Sequence, residues 1–352
     1  MSGQPETTAY YLGIDLGGTN VKAGVVDDGG TPRSHCSQPT EAARGPELGL
    51  DTICRTARQA IAESQISLEA IRAIGLATPG TMDIPAGMLL DPPNLPGWTN
   101  LPIRQRIADR FQKPTVLQND ANAAALGEYW VGAGRTAHSL VMITLGTGVG
   151  GGIIVDNKII QGEHSHGSEC GHIIIQMENG RRCVSGQYGT LEAYVSARAL
   201  VERCVEQLPQ NPQSTMHQRL ANGETPTALL IAQVAESGDR FAFELVMDTG
   251  RYLGVGITSL MHTINPNVFL IGGAMTFGRD ESALGRQFLE RVRQEVRERA
   301  FPVPYQNTPI LFASLGGDAG YIGAAGCAKL ECDRQDSERD QDSERDADGL
   351  SR

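Results

Sequence analysis

The chain has 352 residues, of which 40% are apolar and 42 are glycine, a composition that suits a loop-rich α/β enzyme large enough for two domains. A net charge of −11 argues against nucleic acid or an anionic membrane as a general partner. The seven cysteines are scattered, and the sequence shows neither a leader pattern nor an apolar run of membrane length, so we expect reduced thiols in a cytoplasmic protein.

The first motif is an apolar run that ends on Asp15, turns through Gly17, Gly18 and Thr19, and enters a second apolar run at residues 21–26. This pattern predicts a β-hairpin. Glycines let backbone N–H groups approach a phosphate, the threonine hydroxyl adds a donor, and Asp15 can hold a Mg²⁺ ion that bridges phosphates. The motif is not a P-loop, because neither Gly-Lys-Ser/Thr nor a helix follows the glycines. An ordinary hairpin with a Gly-Gly turn is the alternative.

The rest of the chain alternates predicted strands with predicted helices, which favours a mixed α/β sheet. In the first part, the pattern predicts strands at residues 71–76 and 115–118, and helices over 48–66, 103–111 and 121–131. In the second part, it predicts strands at residues 139–144, 152–155, 172–175, 268–271 and 310–313, and helices over 191–206, 227–235, 240–262, 282–298 and 319–328.

Residues 140–155 repeat the pattern of residues 11–26: a strand, a turn of glycine and threonine, and a second strand. Five glycines fall within nine residues of this turn. Because each glycine costs backbone entropy on folding, close approach to a phosphate chain is favoured over a merely flexible loop. The candidate contacts in the turn are Thr144, Gly146, Thr147, Gly148 and Gly150. Two such hairpins indicate a duplicated fold with a ligand held between two lobes.

Two glycine pairs follow later in the chain. Gly272 and Gly273 end a buried strand, and Gly316 and Gly317 open a helix rich in small residues. Small residues at the carboxyl ends of strands mark the ligand sites of α/β proteins. Each motif is weak alone, whereas four of them in one chain indicate a nucleotide site.

The segments 15–19, 145–152, 271–274 and 315–320 together resemble the ROK family, which groups sugar kinases with sugar-responsive repressors. The resemblance implies an α/β protein with the actin/hexokinase/Hsp70-like ATPase fold, which has two lobes, a central cleft and a duplicated, ribonuclease H-like core. We expect a small N-terminal lobe at 9–119, onto which a helix at 318–330 packs back, and a large lobe at 120–317. Residues 331–352 form a mixed-charge run that cannot offset its ordering entropy by burial, so we expect a disordered tail.

The resemblance also implies ATP as the phosphoryl donor and a Mg²⁺ ion held near Asp15 through the nucleotide. The residues expected to contact the phosphates are Gly17, Gly18, Thr19, Thr144, Gly146, Thr147, Gly148 and Gly150. The residues expected to border the adenosine are Gly272, Gly273, Gly316 and Gly317.

Asn119 and Asp120 lie between a predicted strand and a predicted helix. Either residue can cap the helix, but two polar groups together exceed what capping requires. The resemblance makes this pair the catalytic site, with Asp120 as the general base on the sugar hydroxyl and Asn119 as a sugar contact. A carboxylate suits that task because the hydroxyl loses its proton as its bond to the γ-phosphorus forms.

Five further residues match sugar-binding positions of the family. They are Gly80, Asn94, Glu169, His172 and Glu192. Taken alone, Asn94 lies in a proline-rich segment that can be a mere turn, and Gly80 can be part of a type II turn. Glu192 alone is a charge favoured by the dipole at a helix N-terminus. Glu169 and His172 match the Glu-x-Gly-His signature of the family.

The chain departs from the family between these sites. Most members carry Cys-x-Cys-Gly-x-x-Gly-Cys-x-Glu, whose three thiolates bind a structural zinc together with the signature histidine. Here Ser185 and Thr190 replace two of the thiolates, which leaves Cys183 and His172. Hydroxyls are poor zinc ligands, so we expect no zinc site. We expect the hydroxyl of Ser185 or Thr190 to contact one ring nitrogen of His172 instead.

The predicted function is ATP-dependent phosphorylation of a hexose at its 6-hydroxyl, with glucose as the first choice. The alternatives are a kinase for another hexose or N-acetylhexosamine (N-acetylglucosamine, N-acetylmannosamine, fructose or allose) and a sugar-responsive ROK-type regulator without its DNA-binding domain. A donor other than ATP is also open. We expect a small-molecule hexose and a nucleotide as ligands, a homodimer as the assembly, and no nucleic-acid or membrane partner.

Overall fold

The fold is that of a computed structural model, which describes residues 8–92 and 94–349. The chain divides into two compact units. The first unit comprises Met1–Val131, Gln161–Gly167 and Asp318–Arg352, and the second comprises Gly132–Ile160 and Ser168–Gly317.

The described residues form twelve β-strands. They are β1 Tyr10–Leu16, β2 Asn20–Asp27, β3 Cys36–Pro39, β4 Ile71–Thr78, β5 Thr81–Asp83, β6 Met88–Asp91, β7 Thr115–Asn119, β8 Ser139–Leu145, β9 Val149–Val155, β10 Lys158–Ile159, β11 Val268–Gly272 and β12 Ile310–Phe312.

The same residues form eleven α-helices. They are α1 Pro46–Ser64, α2 Ile103–Phe111, α3 Asp120–Trp130, α4 Glu192–Val195, α5 Ala197–Gln207, α6 Met216–Ala221, α7 Ala228–Glu236, α8 Arg240–Ile264, α9 Ala283–Arg299, α10 Pro302–Asn307 and α11 Ala319–Gly349. None of the helices in this part of the chain combines the length and the apolar run that a membrane crossing requires.

Each unit is built on a five-stranded sheet with the same strand order. In the first unit the order is β3-β2-β1-β4-β7, and in the second it is β10-β9-β8-β11-β12. In both sheets the first three strands along the chain pair antiparallel, and the other two add in parallel. Both predicted hairpins, β1–β2 and β8–β9, are therefore present, and the repeated order confirms the predicted duplication.

Helices cover both faces of the sheet of the first unit, and the two faces pack in different ways. On one side, α1 buries Leu50 and Ile53 in the same apolar cluster as Leu12 and Ile14 of β1. On the other side, α11 packs closely on glycines of the strands. A Cβ built on Gly75 of β4 would overlap a backbone carbonyl group of the helix, so a larger residue would not fit there. Backbone therefore packs on backbone where α11 crosses β1 and β4.

One predicted strand, at residues 172–175, is wrong. The segment begins with a 3-10 turn, Cys170–His172, and pairs through a single bridge between Ile174 and Thr190. A short apolar run forms a strand only where a neighbouring segment offers a continuous series of backbone hydrogen bonds. Here the neighbouring segment offers a single bridge. The short elements β3, β5, β6, β10, α6 and α10 were not predicted from the sequence.

The tail predicted to be disordered spans residues 331–352. Residues 331–349 continue helix α11, and residues 350–352 lie outside the described residues. Lys329 and Asp333 pair at 2.5 Å, Arg334 and Glu338 pair at 2.5 Å, and Asp336 pairs with Arg72 at 2.8 Å. The prediction counted only burial, whereas a helix satisfies its own backbone and gains about 0.2–0.5 kcal/mol from each i,i+4 pair.

The unit boundaries also differ from the predicted lobes. Helix α3 belongs to the first unit rather than to the large C-terminal lobe. The reason is packing, because α3 lies along α11, and Cβ atoms built on Gly127 or Gly323 would overlap the backbone of the facing helix.

We expect Gly323→Ala to destabilise the protein, because the added methyl group would overlap the carbonyl oxygen of Ala123. Overpacking of this kind costs about 1–3 kcal/mol of unfolding free energy, measured by urea denaturation. Gly326→Ala on the same helix is the matched control, since its nearest atoms belong to the side chains of Trp130 and Leu126, at 3.0 and 3.3 Å. Equal effects of the two substitutions would contradict the close helix pairing.

Candidate active site

The turn between β1 and β2 is held from behind by Thr40. The Thr40 hydroxyl donates to the carbonyl oxygen of Gly17 at 2.6 Å, and its backbone N–H donates to that of Thr19 at 2.8 Å. Within the turn, the N–H of Gly17 donates to the carbonyl oxygen of Asn20 at 2.9 Å. Gly18 and Thr19 are exposed, so the turn presents backbone and hydroxyl groups to solvent.

Asp15 lies near the end of β1 beside the first turn of α11. A Cβ built on Gly320 would overlap the Asp15 carboxylate, so only glycine allows the helix to come this close. Burial raises the pKa of Asp15 to about 6, and the charge of Lys22 opposes this increase. A carboxylate that has lost hydration gains more than a solvated one from a nearby cation, which suits a Mg²⁺ ligand.

Asn119 is the N-cap of helix α3. Its Oδ1 accepts from the N–H groups of Ala121 and Asn122, at 2.9 and 3.1 Å. The next residue, Asp120, is half-buried, and its Oδ1 accepts from Ala121 at 2.8 Å. Since Asn119 already satisfies two of the N-terminal N–H groups, the helix does not need Asp120 as its cap.

The surroundings of this pair contain buried polar groups. The pairing of β4 with β7 places Thr78 opposite Asn119. Thr78 Oγ1 and Asn122 Oδ1 are buried and have no hydrogen-bond partner among the described residues. Gly80 follows two residues after Thr78 with φ of 89°, as expected for a turn that needs glycine.

Asn94 lies beside the turn between β1 and β2, which contains predicted phosphate contacts. A Cβ built on Gly18 would be 3.2 Å from both the Cβ and the carbonyl oxygen of Asn94. The structure thus brings a predicted sugar contact next to a predicted nucleotide contact.

The turn between β8 and β9 in the second unit is held by Glu192. Oε2 of Glu192 accepts from the N–H of Val149 at 2.8 Å, and a Cβ built on Gly148 would crowd the same oxygen. Within the turn, the N–H of Gly146 donates to the carbonyl oxygen of Gly148 at 3.0 Å, and its own carbonyl oxygen accepts from Ala197 at 2.9 Å.

The glycine pair Gly272–Gly273 at the end of β11 lies against this turn. Gly272 pairs with Thr144 in the sheet, and Gly273 adopts φ of 89°. A Cβ built on Gly273 would overlap the backbone of Leu145, and the N–H of Met275 donates to the carbonyl oxygen of Leu145 at 3.0 Å. Thr144 and Gly272, two predicted nucleotide contacts, are thus neighbours.

Arg279, which no sequence motif indicates, lies near the glycine pair Gly316–Gly317. Its Nη1 is 3.8 Å from the position of a Cβ on Gly316 and donates to the carbonyl oxygen of Ala313 at 3.4 Å. The arginine has no motif of its own. The one signal is its position in the loop that follows a strand-ending glycine pair.

The Glu169–His172 segment packs on the second hairpin. Glu169 Oε2 and His172 Nε2 are 3.9 Å apart. A Cβ built on Gly151 would overlap Ser168 and Cys170, so this glycine serves packing. Part of the glycine richness that predicts phosphate contact therefore has a structural cause.

The positions of the family's zinc ligands do not form a zinc site. His172 Nδ1 and Thr190 Oγ1 are buried without hydrogen-bond partners among the described residues, and Ser185 is exposed. The expected hydroxyl contact to His172 is therefore not formed. The Cys183 thiol donates to Oε1 of Glu192 at 2.9 Å. In the part of the chain that the structure describes, no three His, Cys, Asp or Glu side chains are grouped as metal ligands. One thiol and one imidazole do not fit a tetrahedral zinc site.

The predicted site residues are distributed over both units. The first unit contains Asp15, Gly17, Gly18, Thr19, Gly80, Asn94, Asn119 and Asp120. The second contains Thr144, Gly146, Thr147, Gly148, Gly150, Glu169, His172, Glu192, Gly272, Gly273, Gly316 and Gly317.

Comparison with known proteins gives consistent matches over most of the chain. The sequence profile of the ROK family matches residues 11–331. A glucokinase of Halalkalibacterium halodurans is 31% identical over 92% of this chain and 96% of its own length, and one of Thermotoga maritima is 32% identical over 90% and 96%. The structure of a ROK family glucokinase from Streptomyces griseus in complex with glucose and AMPPNP superposes with a TM-score of 0.75, at 32% identity, over 92% of this chain and 100% of that one. The fold is therefore of the actin/hexokinase type, and the chain belongs to the ROK family.

Proposed function

We propose that this protein transfers the γ-phosphoryl group of ATP to the 6-hydroxyl of a hexose, with glucose as the preferred substrate. The proposal is supported by glucokinase relatives that match over nearly their whole length. The observation that carries it is the start of α3, where the side chain of Asn119 caps the helix through two N–H groups and the half-buried carboxylate of Asp120 comes next in the chain.

In this proposal Asp120 is the general base. It takes the proton of the 6-hydroxyl as that oxygen attacks the γ-phosphorus, and it holds the proton on its carboxylate. The sugar hydroxyls are held by Gly80, Asn94, Asn119, Glu169, His172 and Glu192.

The nucleotide is proposed to bind at the glycine turns. The turns at Gly17–Thr19 and Gly146–Gly150 contact the phosphates through backbone and hydroxyl groups, and the exposed residues of these turns are Gly18, Thr19 and Thr147. Gly272–Gly273 and Gly316–Gly317 border the adenosine. A Mg²⁺ ion, when bound, neutralises the charge of the phosphates, and Asp15 is the residue that would hold it through the nucleotide. The partly buried Asp15 carboxylate fits this role, because loss of hydration disfavours its ionised form in the absence of a cation.

The alternatives concern the sugar and the class of protein. A kinase for N-acetylglucosamine, N-acetylmannosamine, fructose or allose would use the same contacts. A ROK-type regulator would bind the sugar without turning it over. We further propose a homodimer, a cytoplasmic location, and neither nucleic acid nor membrane as a partner, in keeping with the net charge of −11.

A coupled ADP-release assay across these sugars, with ATP and Mg²⁺, tests the proposal. We expect the highest kcat/KM with glucose, by about ten-fold or more, because a sugar that leaves a buried polar partner unpaired is rejected. Polyphosphate in place of ATP tests the donor. Sugar binding without ADP release from any sugar would favour the regulator.

We expect Asp120→Asn to lower kcat by about 100- to 10,000-fold, because the amide keeps the shape of the side chain but cannot accept the proton. Glucose affinity, measured by calorimetry, should be retained. Asp109→Asn, at an exposed position on α2, is the control and should keep wild-type activity. If Asp120→Asn retained more than about a tenth of kcat, the assignment of the base would fail.

We propose that the protein works without zinc, since two of the family's ligand positions carry Ser185 and Thr190. Elemental analysis should find well under one equivalent of zinc. Treatment with a chelator, followed by restoration of Mg²⁺, should leave the melting temperature and the activity unchanged. Stoichiometric zinc, with activity lost on its selective removal, would contradict this proposal and would mean that another side chain had joined Cys183 and His172 as a ligand.

A further inference from the structure

The altered zinc loop keeps one of its thiols, and that thiol contacts a proposed sugar-binding residue. Cys183 is 4% exposed, and its Sγ is 2.9 Å from Oε1 of Glu192. The other oxygen of Glu192, Oε2, is 2.8 Å from the backbone nitrogen of Val149. One carboxylate therefore connects the altered loop to the second glycine turn.

The direction of the Cys183 hydrogen bond follows from the chemistry of its partner. An ionised carboxylate only accepts, so the thiol must carry the proton and donate it. A zinc-bound cysteine is a thiolate and has no proton to donate. The contact with Glu192 and zinc ligation by Cys183 therefore exclude each other.

Glu192 keeps acceptor capacity for a sugar. A carboxylate offers about four lone-pair positions, and the two donors described here use one on each oxygen. Because both oxygens are fixed, the plane of the carboxylate is fixed, and the remaining positions point in defined directions.

We propose that Cys183 is a positioning residue for sugar binding, in a role that the loss of zinc makes available. Its thiol holds the Glu192 carboxylate in the orientation that receives the Val149 N–H and accepts from a sugar hydroxyl. The inference rests on the proposed function, because it assigns Glu192 to the sugar.

Cys183→Ala removes the donor and leaves Glu192 with one fixed oxygen. We expect KM for glucose to rise by about three- to ten-fold, which is within the range for the net contribution of one ordinary hydrogen bond. We expect kcat to stay within about two-fold of the wild type, since a contact made equally in the ground state and the transition state changes KM alone. Cys183→Ser keeps a donor at the same position and should restore the wild-type KM.

Cys204→Ala is the matched control. Cys204 is a fully buried cysteine in the same apolar cluster as Cys183, so its replacement removes a core thiol without touching Glu192. Its KM for glucose should equal that of the wild type. The melting temperature of each variant reports separately on the fold.

A double-mutant cycle tests whether Cys183 acts through Glu192. In a Glu192→Ala background, Cys183→Ala should change glucose affinity no further, because no carboxylate remains to be positioned. An added loss in that background would overturn the inference, as would an unchanged KM in Cys183→Ala or a serine variant no better than the alanine one.

Glucose affinity measured by calorimetry without nucleotide separates this inference from the proposed function. A wild-type protein that binds glucose but releases no ADP would contradict the proposed function. Equal glucose affinities of the wild type and Cys183→Ala would contradict the positioning role, whatever the turnover.

Discussion

The close approach of helix α11 to the strands of the first unit is the constraint on which the site in that unit depends. The helix comes within backbone contact of β1 and β4 because Gly13 and Gly75 have no side chain in the way. The same approach brings Gly320 against the carboxylate of Asp15. A packing requirement of the core thus determines how far a proposed magnesium ligand is removed from water.

The burial of Asp15 has a thermodynamic consequence. Its folded-state pKa of about 6 lies above the ordinary value of 3.8. The folded state therefore binds the proton more tightly than the unfolded chain, and stability falls as pH rises between these two values. Above pH 6 the folded protein carries the cost of an ionised, poorly hydrated carboxylate. A cation that binds Asp15 only in the folded state offsets this cost. Cation binding therefore raises the stability of the folded protein.

The sequence predicts best where the cause of structure is local. Both hairpins, the helix at 103–111 and the start of β8 follow from local sequence patterns, which need no distant partner. The strand predicted at 172–175 failed because a strand is defined by its neighbour, and this segment has a single bridge. The helical tail was missed because the prediction weighed burial and not the spacing of charges along a helix.

The candidate site shows the same division. The motifs identify Asp15, Asn119 and Asp120 by residue type and order, but the sequence cannot say which polar group caps α3. That assignment depends on which side chain lies within reach of two N–H groups, and the structure gives it to Asn119. Arg279 escaped notice for a similar reason, since its proximity to Gly316 arises from a loop packed against a strand far along the chain.

The zinc loop shows how a missing ligand set changes the work of the residues that remain. In a tetrahedral site, each ligand is oriented by the metal, and the loop gains its stability from those bonds. Here the loop is held by ordinary contacts: the N–H of Arg181 donates to the hydroxyl of Tyr194 at 2.9 Å, and its guanidinium pairs with Glu206 at 2.6 Å. The buried thiol of Cys183 donates to the carboxylate of Glu192. In the zinc-free protein that we propose, a ligand position of the family therefore serves as a hydrogen-bond donor, and we infer that this donor orients a proposed sugar-binding acid.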